Sequence, residues 1–193
     1  MILRMNFQEE RLQAGPRSTS KGRLALVFGI CLVLSTLVYL PGIRGDILNF
    51  DDERVAIEPI SKPVGTEGQA ELAFQDDVLA SLGTILDPRR TIAEVYYPVT
   101  TLSYYLDWKL WYRTGSHRGL QAGQDPLPWH LHNLLLHALV GVLLVLLLLD
   151  LGLGLPIALA ATLPFLVHPA LAEVVTWIAS RKDLLAALFG LLV

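Results

Sequence analysis

The sequence predicts an all-α, multi-pass membrane fold with a long polar loop on one side that carries helices lying in the membrane interface. Three observations predict it. Hydrophobic residues make up 53% of the 193-residue chain and charged residues only 17%, where a soluble domain carries about 25% charged residues. The charges are excluded from long stretches: residues 24–43 hold none, and residues 126–180 hold only Asp150 and Glu173. The uncharged runs are also about as long as a bilayer is thick. This distribution excludes a disordered chain and an ordinary soluble domain. The single cysteine, Cys31, excludes an intrachain disulfide framework and offers no Cys/His metal spacing. A net charge of −3 without a basic, aromatic-interleaved patch argues against nucleic acid as a partner.

Residues 1–23 form a polar tail with Arg4, Arg11, Arg17, Lys21 and Arg23 against Glu9 and Glu10. Five basic residues ahead of the first apolar run place the N-terminus in the cytoplasm. That run, residues 24–43, has 20 residues. At about 1.5 Å per residue it spans ~30 Å, the thickness of the hydrocarbon core. The apolar core of a cleaved signal peptide is only about 7–15 residues long, so the run is expected to be transmembrane helix 1.

Residues 44–130 form an extracytoplasmic loop with 8 basic and 13 acidic residues. Long loops translocate largely regardless of charge, so its acidity does not disturb the orientation. Its middle, residues 58–75, is rich in Pro, Gly and Glu and reads as irregular. Its end reads as a helix over residues 98–113: Leu102, Leu106 and Leu110 recur every fourth residue, with Tyr104, Trp108 and Trp111 beside them. Pro98 suits a first helical turn. Leucines flanked by Tyr and Trp fit the headgroup plane; an amphipathic helix of a soluble loop domain has the same spacing. Transmembrane helix 2 follows at residues 131–149. A Gly-rich turn after Asp150 returns the chain as helix 3 over 151–167, which is Ala-rich and contains Pro156 and Pro164. Residues 168–183 form a short outer helix. Residues 184–193 open a fourth apolar run of ten residues, where a span needs about 20, so the chain is expected to be an N-terminal piece of a longer protein.

Polar groups retained beside a bilayer are functional candidates because they are costly there. Asp51 and Asp52 stand eight and nine residues beyond helix 1; neighbouring residues point to different faces, so at most one aims at a reacting atom. Taken alone, such a pair also fits a helix cap or a solvated loop. His130, Asn133 and His137 fall within about 60° of one another on a helix of 100° per residue, and a stripe of that kind must face the bundle or a polar cavity. Hydrogen bonding between helices satisfies it equally well. His132 falls on the other side. The third group is His168, Glu173, Thr176, Trp177, Ser180, Arg181, Lys182 and Asp183. Arg181 and Lys182 are well placed to hold a phosphate; as an alternative, they snorkel and mark the membrane boundary. No carboxylate at ligand spacing accompanies the histidines, so no metal site is assigned.

The order of these segments is more specific than any one of them. NFDDERV, YYPVTTLSYYLDWKLW, HLHNLLLHAL and LVHPALAEVVTWIASRKDLLA together resemble the N-terminal membrane part of the GT-C-type glycosyltransferases, close to the transmembrane-and-tetratricopeptide O-mannosyltransferases and the bacterial tetratricopeptide-repeat membrane proteins of that group. The resemblance covers residue 24 to the end except the middle of the long loop. It implies an enzyme that takes a mannose-like sugar from a polyprenyl-phosphate carrier and passes it to a protein hydroxyl on the non-cytoplasmic face. It implies that Asp51 or Asp52 is the catalytic base, that Arg181 and Lys182 bind the donor phosphate, and that His130, Asn133, His137, His168 and Glu173 line the cavity. No cofactor is assigned, with a divalent cation left open. The implied location is a bacterial inner membrane, or the endoplasmic reticulum in a eukaryote. A non-catalytic scaffold presenting an acidic partner-binding loop and a transporter segment are the competing functions.

Overall fold

Ser20 opens the first helix by accepting the Arg23 amide on its Oγ at 3.3 Å, which satisfies one of the N–H groups that a helix start leaves over. From there α1 (Lys21–Ile43) runs 23 residues. The computed structural model describes residues 20–45, 52, 77–88, 96–112 and 125–193, and every regular element among them is helical. After α1 come α2 (Val78–Ile85), α3 (Pro98–Asp107) with a π-helical turn at Trp108–Tyr112, α4 (Leu127–Asp150) and α5 (Leu155–Val167). A 3-10 turn at Pro169–Leu171 leads into α6 (Ala172–Thr176), and a second at Ile178–Ser180 leads into α7 (Arg181–Leu192). The N-terminal tail to residue 19, Asp51 and most of the long loop lie outside the described residues.

α1 is apolar on every face yet buries one residue in four: Val27, Cys31, Ser35, Tyr39 and Ile43. That spacing keeps the buried set on a single narrow stripe. Leu26, Val33 and Leu37 stay exposed on the other faces, Leu37 by 68%. Such a helix is stable where lipid covers the remaining apolar surface. α1 and α4 are each long and apolar enough to cross a membrane. α5 joins the Pro169–Thr176 stretch across a 57° bend, and the two together pass the same test as one broken span.

Helix α4 begins at Leu127, four residues before the expected start. Asp125 Oδ1 accepts the Leu127 amide at 3.1 Å and a proline occupies the first turn, and both features start helices. Trp129 and His130 are therefore helical. The far end is closed by Gly152 at φ 93°. The Leu153 amide reaches the Leu148 carbonyl (3.1 Å) and the Gly152 amide reaches that of Leu149 (3.0 Å), the double bond of a Schellman cap, which needs a left-handed residue at this position. This turn takes up residues 151–154, so α5 starts at Leu155 rather than 151.

α1 and α4 pack antiparallel. Tyr39 and Ile43 share a core with Leu134, Val175 and Leu127, while Val27 and Cys31 pack with Ala138, Val142 and Val145. At Gly141 three helices converge: a Cβ there would lie 2.6 Å from Leu166 Cδ2 of α5 and 3.5 Å from Cys31 Sγ of α1. Small residues permit this approach between apolar helices. α7 returns along α4, with Leu184 and Leu185 against Leu136. It starts at Arg181, three residues before the expected apolar run. The ends of α1, α5 and α6 and the starts of α4 and α7 therefore meet at one end of the bundle.

Gly42 is the tightest of these contacts, since a Cβ there would lie 2.2 Å from Thr176 Cγ2. Gly42→Ala should lower stability by about 1–3 kcal/mol, the usual cost of overpacking. Adding Thr176→Ser, which removes the clashing methyl, should recover part of that loss. Thermal unfolding of the detergent-solubilised variants reads both effects.

Candidate polar site at the end of the bundle

Between α6 and α7 the helix breaks at Trp177, where ψ is 118°, and the broken backbone needs partners. Side chains from other elements supply them residue by residue. Asn133 Nδ2 donates to the Trp177 carbonyl at 3.1 Å. Tyr104 donates its hydroxyl to the Ile178 carbonyl at 2.9 Å. Asp52 Oδ1 accepts the Ala179 amide at 2.9 Å. The segment is thus pinned by α3, by α4 and by the single described residue of the Asp pair.

Arg181 sits at the centre of this arrangement with no exposed surface. Its Nε donates to Asn133 Oδ1 at 2.8 Å, one terminal nitrogen to Asp107 Oδ2 at 2.5 Å and Ser103 Oγ at 3.4 Å, and the other to the Trp129 carbonyl at 3.1 Å. Its guanidinium carbon lies 4.6 Å from the Tyr104 ring centre and 5.7 Å from that of Trp129, and the two rings meet edge-on. A buried charge is tolerable only when paired and fully hydrogen-bonded, and the planar guanidinium suits both the carboxylate and the aromatic faces. Asp107 is equally buried and places its second oxygen 2.5 Å from His132 Nδ1. Burial pushes the Tyr104 phenol above its ordinary pKa; Arg181 opposes the rise, and Asp52, Asp107 and Asp183 add to it. The phenol therefore stays a neutral donor.

The residues expected to line a cavity separate into two groups. His130, Asn133 and His137 are buried on α4. His137 Nε2 lies 3.5 Å from the Leu166 carbonyl, and its ring stacks on Phe165 and meets Tyr39 edge-on. His130 sits buried beside the backbone of Gly45 and Thr176. His168 and Glu173 are on the exposed surface. His168 caps the turn that follows it, its Nδ1 accepting the Ala170 amide at 3.1 Å, while its carbonyl accepts the Tyr39 hydroxyl. Lys182 is half-buried, with Nζ 3.4 Å from the Ala179 carbonyl and 5.9 Å from the centre of the Trp177 ring. Asp51 lies outside the described residues.

Asp107 was not among the expected site residues, and Tyr104 was read only as an interfacial aromatic beside the leucine stripe of residues 98–113, whose spacing points to the opposite face. In the structure Leu106 and Leu110 are exposed, and α3 buries Thr100, Thr101, Ser103, Tyr104, Tyr105 and Asp107. The available signal was Asp107 itself, the one acid in an aromatic-rich segment. No group of three or more His, Cys, Asp or Glu side chains among the described residues is placed to hold a metal ion. These features define an all-helical protein with two membrane-length helices and a buried ionic cluster at one end of its bundle. No protein-family model, curated protein or solved structure matches the chain.

Removing Asp107 leaves the Arg181 guanidinium buried and unpaired. Asp107→Ala should therefore cost about 3–5 kcal/mol. The double variant Asp107→Leu, Arg181→Met should cost less than Asp107→Ala alone, because it removes both charges together. Denaturant unfolding of the three proteins measures the difference.

Proposed function

We propose that this chain is the N-terminal part of a multi-pass membrane glycosyltransferase of GT-C type. It transfers a mannose-like sugar from a polyprenyl-phosphate carrier to a hydroxyl on a protein acceptor, at the non-cytoplasmic face. One observation carries the reading: Asp52, Asp107, His132 and Arg181 are gathered where the ends of two membrane-length helices meet. Ionisable side chains at such a position mark a functional site. The order of sequence motifs supports the same class.

In this reading the donor lipid lies along the exposed apolar faces of the helices, and its phosphate sits at the bundle end where α7 begins. Every nitrogen of Arg181 is occupied by protein groups, so its part is to hold the site together. Lys182, half-buried and one residue on, supplies the cation for the phosphate, where negative charge grows as the leaving group departs. The resemblance assigns the proton-accepting role to Asp51 or Asp52, and the Asp52 bond to Ala179 also braces the segment that carries Arg181. The N-terminal tail is cytoplasmic and the long loop extracytoplasmic.

The test is transfer of radiolabelled mannose from mannosyl polyprenyl phosphate to a Ser/Thr peptide by the full-length protein in liposomes. Wild type should transfer. The Asp51→Asn, Asp52→Asn double variant should lose at least about tenfold while inserting normally. Lys182→Gln should raise the donor KM by roughly tenfold or more, the worth of a charge-assisted hydrogen bond. An inserted wild-type protein that transfers no sugar from any polyprenyl-phosphate donor overturns the reading.

Orientation is checked separately with Cys31→Ser proteins carrying one new cysteine. A cysteine at Ser20 should react with an impermeant thiol reagent only from the cytoplasmic side, and one at Tyr96 only from the outside.

A further inference from the structure

His132 lies off the buried stripe of α4, and its side chain is 25% exposed where that of Asp107 is 1% exposed. Its Nδ1 stands 2.5 Å from Asp107 Oδ1, while Asp107 Oδ2 takes the Arg181 guanidinium at 2.5 Å. A carboxylate paired with a guanidinium accepts hydrogen bonds and donates none. The network therefore assigns a hydrogen to Nδ1, and in the neutral imidazole the lone pair is then on Nε2. Nε2 has no hydrogen-bond partner among the described residues. The result is a histidine oriented by a carboxylate that is itself anchored by a buried arginine, and Arg181 is held in turn by Asn133 and Trp129. A partly exposed base whose other nitrogen is held by a second group is the geometry of general-base chemistry.

The other candidates offer less. His130 and His137 are sealed in the interior, and His168 spends its Nδ1 on the Ala170 amide. Asp52 has no exposed surface and has Oδ1 committed to the Ala179 amide.

We infer that His132, oriented by Asp107, is the proton acceptor for the hydroxyl that receives the sugar, in place of the Asp51 or Asp52 that the resemblance implies; the inference rests on the glycosyltransferase reading and leaves Asp52 the bracing role of its bond to Ala179. His132 Nε2 takes the hydroxyl proton as the acceptor oxygen forms its bond to the anomeric carbon. The bond from that carbon to the phosphate oxygen breaks, and its electron pair leaves with polyprenyl phosphate. The imidazolium so formed is balanced by Asp107 until its proton passes to water at the exposed edge. His132 is the catalytic residue; Asp107 and Arg181 are positioning residues.

The test uses the full-length protein in liposomes with mannosyl polyprenyl phosphate and a Ser/Thr peptide. His132→Ala should lose about 10²–10⁴-fold in kcat, the range for a missing general base, and added imidazole should restore part of the rate. His132→Gln should lose as much. Asp107→Asn should lower kcat with the acceptor KM near wild type and without rescue by imidazole. Two results overturn the inference alone: His132→Ala keeps its rate, or its loss is untouched by imidazole. A wild type that transfers no sugar overturns the glycosyltransferase reading and this inference with it.

Discussion

A guanidinium removed from water must find a partner for its charge and for its hydrogens, and the end of this bundle is organised around that requirement at Arg181. The three elements that meet there have little else in common. α3 contributes Asp107, Ser103 and Tyr104, α4 contributes Asn133 and Trp129, and Arg181 itself opens α7. The truncation of any one partner would leave an uncompensated buried group, which costs far more than the pair contributes when intact. The arrangement therefore secures one geometry more than it adds stability, and a site that needs fixed distances benefits from that.

The rest of the bundle follows a different rule. α1 and α4 share narrow faces on which small and β-branched residues stand beside Tyr39 and Leu134, and Gly42 and Gly141 let neighbouring elements approach to distances that a methyl group would block. Leu26, Val33 and Leu37 remain on the outside of α1. Burial of apolar area between helices cannot drive association where lipid tails are equally apolar, so close contact and hydrogen bonds carry it. The Tyr39 hydroxyl on the His168 carbonyl and His137 between Tyr39 and Phe165 are such contacts. They tie α1, α4 and α5 together just below the ionic cluster.

α3 buries the face that a period-based reading would leave outside. Its leucines point outward and its threonines, serine, tyrosines and aspartate point inward. In water that face choice would expose apolar surface and bury polar groups. With Arg181 and the broken backbone at Trp177–Ser180 requiring partners, the polar face is the one that must be inside. Periodicity alone locates a stripe; it does not say which side of the stripe faces the protein.

The helical character of the chain, the positions of its apolar runs and the shared helix face of His130, Asn133 and His137 are all legible in the residues alone. Length, charge exclusion and a 3.6-residue period are local properties, and they survive without knowledge of neighbours. Helix starts were legible only in part: Asp125 and the prolines beside it extend α4 by a turn, and the Gly152 cap delays α5, because capping depends on single residues that the apolar pattern does not register. The tertiary structure alone decided that Arg181 turns inward, that Asp107 is its partner, and that His132 rather than His168 shares its carboxylate. Residues 107, 132 and 181 lie far apart in the chain. What brings them together is the pairing demand of a buried charge, which can be met only once the helix ends have converged.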